Sequence, residues 1–138
     1  MTTKVFVYGT LLRGEPNNGL LATARFMGQA RTTRPFTMFD MGKFPGVVVE
    51  ATCAIEGEVY DVDAETLARL DLLEGHPNFY ERKQVLVCQP ARDGSEAFYF
   101  AFMYILPPDF GRIPGRDIIR SGSWREHLKQ EQQKESRP

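Results

Sequence analysis

Cysteine is scarce in this 138-residue chain: the two that occur, Cys53 and Cys88, lie far apart and outside any Cys-x-x-Cys or Cys/His cluster of zinc spacing. Each is expected to be a small core residue, and no metal is expected. An excess of charge of one sign is also missing. The 17 basic and 18 acidic residues are mixed along the sequence and leave a net charge of -1, so no basic stripe exists to release counterions from a nucleic-acid backbone. Nucleic acid is therefore not expected as a partner. Long apolar runs are absent too. The opening Thr2-Thr3-Lys4 and Val5-Phe6-Val7-Tyr8 lack the apolar length of a signal peptide, and no segment approaches a membrane span. A cytoplasmic protein without a membrane partner is expected. Ser95, Ser121 and Ser123 sit in turn or loop sequences with no Gly-x-Ser-x-Gly setting, which argues against a serine hydrolase.

What is present describes an ordinary globular protein, with 42% hydrophobic and 25% charged residues. The length suits one continuous core. One domain is expected over residues 1–123, followed by a charged, Gln-rich tail over 124–138 that docks through Trp124 before fraying into solvent. No internal repeat is visible, and a monomer is the expected state.

The run Val5-Phe6-Val7-Tyr8 is short, β-branched and aromatic, and stops at Gly9. It predicts a buried strand that opens into an irregular connection from Thr10 to Gly19, rich in turn residues such as Gly14, Pro16, Asn17 and Asn18. Strand patterns recur near 26–31, 37–41, 47–50, 54–62, 82–89 and 96–105, the last two flanking the hairpin signal Asp93-Gly94. Ile55-Glu56-Gly57-Glu58-Val59-Tyr60 alternates as a half-buried strand should. So many strands suggest a curled sheet or barrel. One helix is expected over Ala64–Glu74: Asp63 can cap it, Leu67, Leu70 and Leu73 share a face, and Gly75 can end it.

Glu74 thus falls in a last helical turn, where the negative end of the macrodipole and the charge of Asp71 both disfavour its ionisation. With burial added, its pKa would move from roughly 4.3 toward neutrality, where a carboxylate serves as general base and then acid. Position alone leaves a solvated helix-end carboxylate as the plainer reading.

The sequence around it adds a second signal. Val5-Phe6-Val7-Tyr8-Gly9-Thr10-Leu11, followed by Arg13-Gly14 and Pro16-Asn17, resembles the opening signature of the γ-glutamylcyclotransferase family, nearest its γ-glutamylamine cyclotransferase branch. Glu56-Gly57-Glu58-Val59-Tyr60, Val62-Asp63, Leu70-Asp71, Glu74, Pro77, Tyr80 and Arg82 follow in that family's order, with a weaker echo in Pro107-Pro108. The resemblance implies an α+β fold, a small mixed β-barrel with flanking helices. It also implies that Tyr8, Gly9, Thr10 and Leu11 bind a γ-glutamyl group through backbone N–H groups, that Glu74 is the proton acceptor, and that no cofactor is used. The implied reaction closes the substrate's own α-amine onto its γ-carbonyl, releasing 5-oxoproline and an amine. The leaving amine stays open, with γ-glutamylamines expected. The alternative is a non-catalytic module of the same fold that binds a γ-glutamyl group or 5-oxoproline without turnover. His76 reads as a turn residue, Arg13 and Arg34 as surface, Phe44-Pro45-Gly46 as a pocket-lining loop, and Tyr80 and Tyr104 as either pocket hydroxyls or core.

Overall fold

The computed structural model describes residues 2–112 and 117–135. Strands are β1 (Thr3–Val7), β2 (Arg25–Thr32), β3 (Phe36–Asp40), β4 (Pro45–Cys53), β5 (Glu56–Val62), β6 (Glu81–Pro90), β7 (Glu96–Ile105) and β8 (Asp117–Ile118). Helices are α1 (Ala64–Glu74) and α2 (Trp124–Glu135). Five strands close into a barrel in the order β1-β5-β2-β6-β7, and β4-β3-β8 form a separate small sheet. All barrel pairings are antiparallel except the seam, where β1 meets β7 in parallel with Val5 opposite Phe102. This mixed barrel with its helices is the expected fold class.

Period-two alternation divides the strands between two apolar clusters. Phe6, Tyr8, Val59, Val87, Ala101, Met103 and Ile105 join Phe36, Met38, Val47 and Trp124. Their alternates Val5, Val7, Tyr60, Val62 and Tyr104 join Leu70 of α1 and Leu11, Leu12 and Leu21 of the connection after β1. The barrel wall is therefore apolar on both faces along β1 and β5. That corrects the half-buried reading of β5: Val59 is fully buried, but so are Glu58 at 2% exposure and Tyr60 at 4%.

The hairpin at Asp93-Gly94 forms as its residues dictate, with Pro90 opposite Glu96 and Gly94 at φ +88°. The expected strand over 54–62 is shorter, because β4 ends at Cys53 and β5 starts at Glu56. Gly122 explains the break: its amide region packs where a Cβ would stand 2.1 Å from Ala54 O, and its carbonyl accepts the Glu56 N–H at 2.9 Å. The pair β8 was not foreseen, since two residues carry no alternation to detect. No helix among the described residues is long and apolar enough to cross a membrane.

Gly57 fixes how closely β1 and β5 approach, because a Cβ there would lie 2.2 Å from Val7 O and 2.7 Å from the Phe6 ring. Gly57→Ala is expected to destabilise the fold by about 1–3 kcal/mol, the usual cost of overpacking, in urea or thermal unfolding. A midpoint equal to that of the parent would show that the two strands are free to separate there.

Candidate active site

The barrel's connectivity decides where its functional groups meet. Strand β5 runs antiparallel to β1 and ends opposite Thr3, at the far end of the barrel from Tyr8. Helix α1 then returns along the wall. Its 11 residues rise about 16 Å, the same as the five residues of β1, so its last residue arrives level with the end of β1. The start and stop are both local: Asp63 Oδ1 accepts the Thr66 N–H at 2.7 Å, and Gly75 adopts the left-handed conformation (φ 68°, ψ 34°). Glu74 is thereby placed at the barrel end where β1 and β7 terminate.

Glu74 lines a cavity of about 410 Å³ together with Tyr8, Gly9, Thr10 and Leu11, so the residues singled out from sequence come together at one place. Burial pushes its carboxyl up to about 7. The second cause that the sequence suggested, Asp71, is engaged elsewhere. Arg82 binds Asp71 through Nε at 2.9 Å and Nη2 at 3.0 Å, and the Tyr104 hydroxyl donates to Asp71 Oδ1 at 2.6 Å. Burial raises Asp71 as well, but the hydrogen bonds from Arg82 and Tyr104 outweigh it and hold the carboxyl below its ordinary value. The two carboxylates of one helical turn are thus driven in opposite directions. The Glu74 carboxyl forms no hydrogen bond or ion pair among the described residues, while the Glu74 carbonyl accepts the Tyr80 N–H at 3.2 Å.

Three tyrosines wall the carboxylate, each with its hydroxyl committed elsewhere: Tyr8 donates to Tyr104 O at 2.9 Å, Tyr80 to Pro45 O at 2.7 Å, and Tyr104 to Asp71. All are pushed above the ordinary phenol range, chiefly by burial, with the nearby Glu74 charge a further cause. They act as neutral walls, and Tyr80 and Tyr104 both belong to the pocket and to the core.

Opposite Glu74, the chain turns sharply after Tyr8. Leu12 N–H donates to Gly9 O at 3.0 Å, Asn17 N–H to Thr10 O at 2.8 Å, Asn17 Nδ2 to Thr10 Oγ1 at 3.0 Å, and Asn18 Nδ2 to Leu11 O at 2.9 Å. These bonds engage the turn's carbonyls. The N–H groups of Gly9, Thr10 and Leu11 donate to no backbone carbonyl among the described residues. Gly9 has a structural reason to lack a side chain, because a Cβ would stand 2.6 Å from the Pro45 ring.

Lys43, Phe44, Leu73 and Phe79, all partly or well exposed, form the outer part of the lining, with Pro45, Pro16 and Asn17 beside them. Phe44 and Pro45 were anticipated, whereas Gly46 of the same expected loop packs against Leu106 and does not line the cavity; Lys43, Leu73 and Phe79 were not anticipated. Leu73, 42% exposed, faces the mouth while Leu70 packs into the core. Phe79 stacks edge-on with Phe44, Tyr80 and Phe110. Only their juxtaposition in space marks these residues, and the turn sequence Gly75–Phe79 gave no periodic signal. The remaining sequence candidates lie off the cavity: His76 Nδ1 accepts the Arg82 N–H at 3.0 Å, and the Arg13 guanidinium lies 4.6 Å over the Phe26 ring. Among the described residues no three His, Cys, Asp or Glu side chains cluster as metal ligands.

A carboxyl raised from 4.5 to about 7 takes up its proton more readily folded than unfolded, so between these values stability falls as pH rises. Glu74→Gln removes that ionisation. The variant is expected to be more stable than the parent above pH ~7, by roughly 1–3 kcal/mol, and to lose the advantage below pH ~4.5. Equal unfolding midpoints at both pH values would show that Glu74 is solvated.

Residues 5–126 match the family described as gamma-glutamyl cyclotransferase, AIG2-like. A Vibrio cholerae protein provisionally named a gamma-glutamylcyclotransferase is 44% identical over 120 residues, covering 87% of this chain and 93% of that protein. The human gamma-glutamylaminecyclotransferase is 32% identical over 140 residues, covering 85% and 89%. The crystal structure of a mouse AIG2-like protein superposes with a TM-score of 0.70 at 26% identity, covering 82% of this chain and 84% of that one. The chain belongs to the AIG2-like gamma-glutamylcyclotransferase family.

Proposed function

We propose that this protein is a γ-glutamylcyclotransferase acting on γ-glutamylamines, with Glu74 as the proton-transfer group and the turn from Tyr8 to Leu11 as the binding site of the γ-glutamyl end. The observation that carries this reading is a buried carboxyl near pH 7, without a hydrogen-bond partner among the described residues, lining the same cavity as a turn whose N–H groups are free of backbone acceptors.

The chemistry asks for little more. An α-ammonium is not a nucleophile, so a proton must leave it before its nitrogen attacks the γ-carbonyl carbon. Glu74 accepts that proton. The new N–C bond closes a five-membered ring while the carbonyl oxygen takes up negative charge, which backbone N–H donors of the turn stabilise. Glu74 then returns the proton to the departing nitrogen as the oxyanion collapses and the old C–N bond breaks; the ring nitrogen passes its surplus proton through the same carboxylate to the released amine, leaving 5-oxoproline and an alkylammonium ion, and no water is consumed. A group titrating near 7 suits both transfers, since it is a competent base and a competent acid at the same pH.

The mouth of the cavity supports the amine as leaving group. Phe44 and Phe79 offer an apolar wall on which the methylenes of an alkylamine, such as the side chain of γ-glutamyl-ε-lysine, can pack, and Lys43 offers a cation for a substrate carboxylate. The human relative's name points the same way.

The test is mass-spectrometric detection of 5-oxoproline after incubation with a panel of γ-glutamyl alkylamines and γ-glutamyl amino acids. Wild type is expected to form product, most readily from the alkylamines, with kcat rising to a plateau through pH ~7. Glu74→Gln is expected to lose about 10²–10⁴-fold in kcat, the range for removing a general base. Folded wild type that binds 5-oxoproline yet turns over no panel member would replace this reading with the binding module.

A further inference from the structure

The side of the turn away from Glu74 is also built from charged groups. Glu58, 2% exposed in β5, directs Oε1 at the Arg13 N–H at 2.9 Å and the Tyr60 hydroxyl at 3.3 Å. Its Oε2 faces Arg125 Nη1 at 3.4 Å. The same guanidinium donates through Nη2 to Arg13 O at 2.6 Å, so both backbone groups of Arg13 are held by the Glu58–Arg125 pair. A second tie runs alongside: Asn18 Nδ2 donates to the Tyr60 hydroxyl at 3.2 Å and to Leu11 O at 2.9 Å. The limb Leu11–Arg13, which continues from the candidate binding turn, is thereby fastened to β5 at one point and to α2 at another. Arg125 is itself fixed, because its neighbour Trp124 is 2% exposed in the core and Ser123 Oγ accepts the Glu126 N–H at 3.1 Å.

We propose that Glu58 and Arg125 are positioning residues that brace the turn from behind, so that the C-terminal helix sets the geometry of a site to which it contributes no lining residue. The Glu58 side chain is buried while that of Arg125 is 36% exposed, so leaving this carboxylate without its cation is unfavourable, and the Arg13 backbone is held by both partners. The effect expected on catalysis rests on the cyclotransferase reading, while the brace itself does not.

Two readouts in the full chain separate them: KM in the 5-oxoproline assay, and amide hydrogen exchange at Arg13, which needs no turnover. Arg125→Ala is expected to raise KM about tenfold and to accelerate Arg13 exchange about tenfold, with a smaller change in kcat and an unaltered pH profile. Arg125→Lys, which can reach Glu58 or Arg13 O but not both, gives the same direction at smaller size and carries the test if Arg125→Ala fails to fold. Leu128→Ala weakens the packing of α2 without touching the brace, and it is expected to lower thermal stability while leaving KM and Arg13 exchange at the parent values. Parent-like exchange and KM in the Arg125 variants, or the same changes in Leu128→Ala, would overturn the proposal. Accelerated exchange in Arg125→Ala beside an inert wild type would sink the cyclotransferase reading and leave the brace standing.

Discussion

The contact on which the rest of the site depends is the clamp between Asp71 and Arg82. It ties the last turn of α1 to the start of β6 with two parallel hydrogen bonds, and Tyr104 of β7 adds a third. With that turn fixed against the barrel, Glu74 has one place to be. The clamp also determines its electrostatics. An unpaired Asp71 would stand one helical turn from Glu74, whereas a bidentate guanidinium neutralises it, and burial alone is left to act on Glu74. Two like groups with divergent environments are a recurrent way of assigning one carboxylate to structure and another to proton transfer.

The other half of the site depends on the parallel seam of the barrel. Because β1 and β7 run the same way, their carboxyl ends coincide, and Tyr8 can bond to the carbonyl of Tyr104 across that seam. The small sheet closes the remaining side. Pro45 at the start of β4 lies against Gly9 so closely that no side chain fits between them, and its carbonyl accepts the Tyr80 hydroxyl. Pro45 thus links the turn to the segment that follows α1. The cavity lies where these elements converge.

Local signals made much of this legible before any coordinates. Asp63 and Gly75 bound α1 because capping and the left-handed conformation are properties of single residues, and Asp93-Gly94 likewise announced the β6–β7 hairpin. Glu74 and the Tyr8–Leu11 turn were legible as a motif, and the fold brings them to one cavity. What stayed hidden depends on contacts distant in sequence. Glu58 alternates like a solvent-facing residue, and the partners of its buried carboxylate, the Arg13 N–H and Arg125, lie 45 and 67 positions away. Arg125 lies in a charged stretch that reads as tail; the docking of Trp124 beside it was expected, whereas the reach of Arg125 to Glu58 and to Arg13 O was not. Phe79 and Lys43 belong to short turns, where no periodicity ties side-chain identity to direction.

The proposed chemistry also explains why the pocket need not close completely over its substrate. A hydrolase must activate water and place it; here the nucleophile is covalently attached to its electrophile, and intramolecular attack in a favourable geometry corresponds to effective molarities of roughly 10⁵–10⁸ M. Competing water is then far too dilute to matter, so complete exclusion of solvent is unnecessary. The demand falls instead on conformation: a γ-glutamyl chain is flexible and must be folded back until its amine reaches its own carbonyl. A rigid turn that holds one end, with a carboxyl at a fixed distance across the cavity, meets that demand directly. Rigidity of the turn is therefore worth more to this reaction than closure over the substrate, and the buried Glu58 carboxylate with its cation from α2 behind the turn is where the fold can supply it.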